Sequence, residues 1–344
     1  MKNKTSLSIL NILSHYIPLE LLMNRSKQRL ILPLYHTVSN QLLPHLKYLY
    51  PVRNENQFRE DLDFFLTHFK PLSVVELKDL IDKDKKPEQN SFLLTFDDGL
   101  KEVYQIIAPV LEKKGIPAIF FINPGFVDNK DLFFRFKASL LINKLNINPP
   151  SGAEYEKIKK TFKNHGIFIS DIKKGILSVT YRNKQLLDDL ANILGMDYQE
   201  YLETNQPYLS IKQIQELSDK GFAIGAHSID HPEFDKITLM EQLRQTRESL
   251  EYIISHFNPG IKLFSMPFTD FGLSGEYFNK VLYSNEPIAD ISFGTAGLKN
   301  DNVKYHLQRI PMEVFSYNAE KLIKQEYLSF LLKKPLGKSR VLRD

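Results

Sequence analysis

The 344-residue chain contains no cysteine, which excludes a disulfide framework and any thiolate-held metal. A metal would have to rest on histidine, aspartate, glutamate or water. Charge of one sign is also lacking: 45 basic against 41 acidic residues leave a formal net charge of +4. That charge is dispersed, with no basic run interleaved with aromatics along one face, so nucleic acid is excluded as a partner. No stretch approaches the roughly 20 apolar residues of a membrane span. The N-terminal apolar residues are broken by Ser8, Asn11 and Ser14, and the segment lacks the continuous core and small-residue cleavage site of a secretory signal. No serine stands in a nucleophile elbow with a histidine and an acid arranged around it. What remains is a chain with 42% hydrophobic and 25% charged residues, enough for a sizeable core. Its length fits two average domains or one large α/β domain.

Near the start, Leu10, Leu13 and Ile17 share a helical face, followed by Arg25, Lys27 and Arg29. This reads as a helix docked on its own domain, with a peripheral membrane contact as the alternative. The expected location is the cytoplasm, with association at the inner membrane face.

Strand and helix signals alternate through most of the chain. ILPLYH (31–36) reads as a buried strand with a polar end, and 55–80 as helical from Phe58, Leu62, Phe65 and Leu66. Phe92–Phe96 as strand, Glu102–Lys114 as helix closed by Gly115, and PAIFFI (117–122) as strand form one βαβ unit. The pattern resumes with a helix over 211–220 and strands at 222–226, 263–266, 289–293 and 306–310. A mainly parallel sheet follows, with its site just beyond the strand ends. Residues 128–207 carry few strand signals and read as a mainly helical insertion.

Two polar clusters follow strand signals. In LLTFDDG, Asp97 and Asp98 stand side by side at the end of an apolar run. Two adjacent anions there need a cation or donors, because burying either alone costs several kcal/mol. In GAHSIDHPEF, His227 and His231 are four apart, a spacing that turns both imidazoles toward one cation. Two histidines and one carboxylate make a three-ligand site with positions left open. One aspartate can ligate and the other can act as base. Either cluster alone is also what an ordinary turn or a packed histidine pair looks like.

TFDDG followed in order by HSxxH resembles the first two motifs of the polysaccharide deacetylase family (NodB homology, carbohydrate esterase family 4). The flanks LSIKQIQELSDKGFAIGAHSIDHP and LPLYHTVS are similar to segments of that family, and FSMPFTDFG (264–272) sits where its third motif is expected. The resemblance covers 31–127 and 208–315, flanked by an N-terminal helical segment (1–30), the 128–207 insertion and a C-terminal helix and tail (316–344). It implies an α/β fold, a distorted (β/α)7-type barrel, and metal-dependent removal of an acetyl group from an N-acetylhexosamine-containing glycan or precursor. It implies Asp97 as catalytic base and Asp98, His227 and His231 as ligands of a divalent cation, zinc first and cobalt next. Ser228 is assigned to local capping.

Two departures stand out. The third-motif arginine that orients the catalytic aspartate is replaced in SMPF (265–268), which leaves Arg309 or Arg135 to take its place. The leucine–histidine pair that supplies the general acid is not evident, which leaves His36 or His306. Pro267, Phe268 and Asp270 are the expected substrate contacts; Phe264, Phe268 and Phe271 offer faces for sugar stacking, Phe264 fitting core packing better. Residues 44–58 resemble an access loop, with no chemistry assigned to any of them. The insertion is expected to form a lid that favours a short or lipid-linked glycan. The alternatives are an O-acetyl carbohydrate esterase and a catalytically weakened, glycan-binding relative.

Overall fold

The computed structural model describes residues 15–314 and 317–343; Leu10 and Leu13 of the expected N-terminal helix face lie outside them. The strands are β1 (Leu30–Ile31), β2 (Pro33–Tyr35), β3 (Lys70–Pro71), β4 (Ser91–Phe92), β5 (Leu94–Phe96), β6 (Ala118–Ile122), β7 (Ala223–Ala226), β8 (Leu263–Ser265), β9 (Ile291–Gly294), β10 (Asn300–Asp301), β11 (His306–Gln308), β12 (Ile310–Pro311) and β13 (Arg340–Val341). Eight of them form one sheet in the order β11-β9-β8-β7-β6-β5-β2-β12, with every pair parallel.

The two edges of this sheet are consecutive in the chain. Gln308 of β11 aligns with Gly294 of β9, and Ile310 of β12 aligns with Pro33 of β2. Arg309 lies between them, its N–H bonded to the Gly294 carbonyl at 3.1 Å, and the Ile310 N–H bonds to the Leu32 carbonyl at 2.8 Å. One strand thus changes partner at Arg309 and closes the sheet into a barrel of seven strands, the architecture expected from the sequence. Strands buried on both faces explain the near-continuous apolar runs such as AIFFI, all five of whose residues are buried.

Helices between the strands form where caps and apolar faces coincide. Ser73 and Glu76, and Ser210 and Gln213, make reciprocal capping boxes that start helices Val74–Asp82 and Ile211–Asp219. Gly115, at φ 64°, ends the helix before β6. The helix expected over 55–80 is in fact two. Glu55–His68 stops, β3 with Pro71 intervenes, and Ser73 caps a new start, because proline supplies no N–H to a continuing helix. The helix expected from Glu102 opens with a π-helical turn over Val103–Ile107.

Between β6 and the helix Ile211–Asp219 run five further α-helices: Phe134–Ile147, Gly152–Asn164, Ile172–Ser178, Gln185–Leu194 and Tyr198–Asn205. They bury a separate apolar cluster that includes Phe136, Leu141, Phe162, Leu187 and Leu190, against which Tyr48, Leu49 and Tyr50 of the 39–54 loop pack. Leu19, Leu22 and Met23 of the helix Leu19–Ser26 join the barrel's core with the C-terminal helix Ala319–Lys333. Among the described residues no helix is long and apolar enough to cross a membrane.

Candidate active site

The polar residues singled out above lie just past the C-terminal ends of adjacent strands, where parallel barrels carry their chemistry. Asp97 and Asp98 follow β5, His227 follows β7, Met266–Phe268 follow β8 and His36 follows β2. The backbone ladder runs on into them: the Asp97 N–H bonds to the Tyr35 carbonyl at 3.0 Å, and the His227 N–H to the Ile122 carbonyl at 2.9 Å. Asp98, Ser228, His231 and Phe268 all have φ between 57° and 71°. Non-glycine residues held in that left-handed region cost free energy and cluster where a site imposes its own geometry.

His227 and His231 turn their Nε2 atoms toward one another at 3.1 Å. Asp98 Oδ1 lies 3.5 Å from the first and 3.4 Å from the second. All three residues are buried, and Asp98 Oδ1 has no hydrogen-bond partner. His227 Nδ1 donates to the Ser265 carbonyl at 2.9 Å, which leaves its Nε2 lone pair facing the cluster. Burial and the neighbouring His227 hold His231 well below the ordinary histidine range, so it is neutral, as a ligand must be. A buried carboxylate oxygen without a donor and two imidazole lone pairs converging on one point are what a divalent cation requires. This donor set therefore fits the metal implied by the motifs. Ser228 Oγ accepts from the His231 N–H at 3.1 Å and so shapes the turn between the histidines.

Asp97 is held differently. Arg309 grips it bidentately, Nη1 to Oδ1 and Nη2 to Oδ2, both at 2.8 Å. Ser265 Oγ donates to Oδ2 at 3.1 Å and accepts from Arg309 Nη2 at 2.7 Å. Burial alone would raise the Asp97 carboxyl; the Arg309 guanidinium and His227 override it and hold the group well below the usual carboxylate range. Asp98, buried without such a partner, is pushed up instead. Arg309 is fully buried, lies over the Phe121 ring at 5.4 Å and occupies the point where the barrel closes. It takes the place left open by Ser265 in the third motif.

His36 Nδ1 pairs with Glu313, whose Oε1 also accepts the backbone N–H groups of His36 and Thr37 at 2.9 and 3.1 Å. Burial opposes the imidazolium, but the Glu313 carboxylate outweighs it and raises His36 to about 9. Glu313 lies 277 residues away in the chain, and no local pattern points to it.

These groups share a cavity of about 480 Å³ lined also by Tyr48, Leu49, Tyr50, Phe133, Arg135, Leu177 and Phe268. Phe133 and Phe268 cover His231, with ring centroids at 4.4 and 4.6 Å. Arg135 lies across the Phe134 and Phe268 rings and donates to the Leu177 carbonyl at 2.6 Å; its carboxylate neighbour is Glu233, not Asp97.

Several expected site residues fall elsewhere. His306 is the first residue of β11, and it bonds to Ser292 Oγ at 2.7 Å and Asp270 Oδ2 at 3.1 Å. Asp270 is also gripped by Arg343, which reaches Asp301 Oδ2 at 2.9 Å, and by Gln308 at 2.6 Å. Neither His306 nor Asp270 lines the cavity; the charge of Asp270 is spent on docking the C-terminal segment, because β13 pairs with β10 there. Asp270, Asp301 and His306 could also be read as a cation site, but the Arg343 guanidinium already supplies the positive charge. Pro267 forms the turn beside the cavity without lining it, Phe264 is fully buried in the core and Phe271 is solvent-exposed outside the cavity.

Against known families, the family model described as "Polysaccharide deacetylase" matches residues 84–274. The chain belongs to the polysaccharide deacetylase family. The Bacillus subtilis protein YxkH, which carries the same family's name, is 34% identical over 88 residues, 23% of this chain and 31% of YxkH. The match therefore spans less than a third of that relative. In fold, the chain is similar to the Streptococcus pyogenes deacetylase PplD in complex with acetate, with a TM-score of 0.53 at 14% identity, covering 86% of this chain and 97% of that one. It is also similar to IcaB from Ammonifex degensii, with a TM-score of 0.52 at 17% identity, covering 87% and 97%. The deacetylase fold is thus shared across almost the whole length of both neighbours.

Proposed function

We propose that this polysaccharide deacetylase family member removes the N-acetyl group from an N-acetylhexosamine unit of a short glycan with the help of a divalent cation. The observation that carries this reading is the buried convergence of Asp98, His227 and His231 beside an Asp97 clamped in its anionic form by Arg309. Asp98, His227 and His231 would hold the cation, zinc being the best match to two imidazoles and one carboxylate. When bound, such an ion acidifies water and polarises the acetyl carbonyl.

The chain's own residues supply the rest. Asp97 takes a proton from the attacking water; Arg309 keeps it anionic and fixes its direction. As the C–N bond breaks, the departing amine needs a proton. His36 is protonated at neutral pH because Glu313 holds its Nδ1, and with Nδ1 engaged it donates through Nε2. Acetate and the free amino sugar leave. The Arg309 clamp favours catalysis over a weakened binding protein, since the aspartate has its arginine from another strand. A bounded cavity of about 480 Å³, walled on one side by the helical segment before β7, is in the range of small-molecule pockets and favours a short glycan end over a long polymer strand.

The test is acetate release by the purified chain from chitooligosaccharides, lipid-linked N-acetylglucosamine and O-acetylated sugars. Release from the N-acetyl substrates is expected. Release from the O-acetyl substrates alone would transfer the reading to an esterase.

The His36–Glu313 pair predicts a pH dependence. His36 must be protonated to donate, so turnover is expected to fall as pH rises through about 9. In Glu313→Gln the alkaline limb moves down toward the ordinary histidine value of about 6.5. The same pair contributes to folding stability, fully below about pH 6.5, and its contribution is lost as pH rises through about 9. An alkaline limb at the same pH in Glu313→Gln as in wild type would show that His36 is not the proton donor.

A further inference from the structure

The Tyr50 hydroxyl is a buried polar atom without a hydrogen-bond partner, and Tyr50 lines the cavity that holds Asp97, Asp98, His227 and His231. Buried hydroxyls are nearly always partnered, so an orphan at a site calls for a ligand. The position is well determined. The ring stacks on His36 at 4.8 Å and 29°. On its other side the loop is fastened to the helical segment: Ser139 Oγ donates to the Pro44 carbonyl at 2.7 Å, and Asn146 Nδ2 to Tyr48 Oη at 2.6 Å. The hydroxyl feels the charges of Asp98, Glu313 and Asp97, yet it bonds to none of them. Its donor is therefore free for an acceptor that enters the cavity.

Resting on the deacetylase reading, we propose that Tyr50 is a catalytic residue: its hydroxyl donates a hydrogen bond to the acetyl oxygen as that oxygen gains negative charge. A phenol already held in place by stacking needs little reorganisation when charge develops, which is the condition for strong transition-state stabilisation. The proposal also gives the helices between β6 and β7 a task in the chemistry. They hold the loop that aims Tyr50, so a segment outside the barrel helps to build the site.

The experiment compares wild type with Tyr50→Phe, which keeps the ring and its stacking. Acetate release is measured at saturating and limiting substrate, and melting temperature and Zn²⁺ binding are measured alongside. Binding of N-acetylglucosamine and of its methylphosphonamide analogue, a tetrahedral mimic, is measured by calorimetry. The expected result is a kcat lower by about 100-fold with KM within two-fold, unchanged melting and Zn²⁺ affinity, and selective weakening of the tetrahedral mimic. An unchanged kcat, or a raised KM with kcat preserved, would overturn the role at the oxyanion. A loss of melting temperature that accounts for the lost activity would overturn it as well. A wild-type chain that releases no acetate and binds neither ligand would remove the deacetylase reading, and this role with it; an active wild type with an equally active Tyr50→Phe removes only this role.

Discussion

Asp97→Asn is expected to lower acetate release by about 10³-fold while leaving the divalent cation bound. The side chain keeps its shape but can no longer accept the proton of the attacking water, and a positioned base contributes on the order of 10²–10⁴. The ligands are untouched: Asp98 Oδ1 and the two Nε2 atoms meet one another, whereas Asp97 Oδ2 lies 3.6 Å from His227 Nε2 and belongs to Arg309 and Ser265. The substitution also strands the buried guanidinium of Arg309, so some stability is lost, and the rates must be compared well below the variant's melting temperature. Calorimetry should still find one cation per chain. A loss smaller than ten-fold would show that Asp97 is not the base.

Arg309→Met should be the most damaging single change to the barrel. Arg309 is fully buried where the sheet closes, and it bonds to Asp97, Ser265, Thr95 and the Gly294 carbonyl. Its removal leaves an uncompensated buried carboxylate, at a cost of about 3–5 kcal/mol, readable by denaturant unfolding. The pH profile separates this structural loss from the catalytic one. In wild type Asp97 stays ionised through the acid range, and its contribution to stability, present above the unfolded carboxylate value, is lost only as pH falls through its depressed native value. Without Arg309, burial dominates and Asp97 protonates at higher pH. The acid limb of turnover should therefore move up in Arg309→Met, with activity partly recovered on raising the pH. A variant that loses rate equally at all pH values would reduce Arg309 to a packing role.

Much of this site is legible in the sequence because each cluster follows directly on a strand. Asp97 and Asp98 end one apolar run and His227 begins just past another, so parallel strands bring them to one rim without further information. Arg309 was one of two open candidates, and what decides for it is the closure of the barrel at that residue, a property of topology that spacing does not carry. Arg135 shows the reverse: it lines the cavity, but its contacts are Leu177 and Glu233. His306 and Asp270 look like site residues in the chain because they lie near the third and last motifs. The C-terminal Arg343, some 73 residues from Asp270, claims them for a structural cluster. Glu313 and Tyr50 carry no local signal. Their places beside the site come from contacts with His36, one through a charge from the far end of the chain and the other through a stacked ring. The single long helix expected over 55–80 failed on Pro71 and Ser73, both visible in the sequence and outweighed there by the run of apolar residues at helical spacing.

The central claim is that Asp98, His227 and His231 hold the divalent cation on which acetate release depends. The most direct measurement is acetate release from an N-acetylglucosamine oligomer by chelator-stripped protein titrated with Zn²⁺, alongside Asp98→Ala. The account predicts no release without the ion, saturation at one Zn²⁺ per chain, and neither tight binding nor turnover in Asp98→Ala. Release that persists in the stripped protein, or that survives in Asp98→Ala, would contradict it.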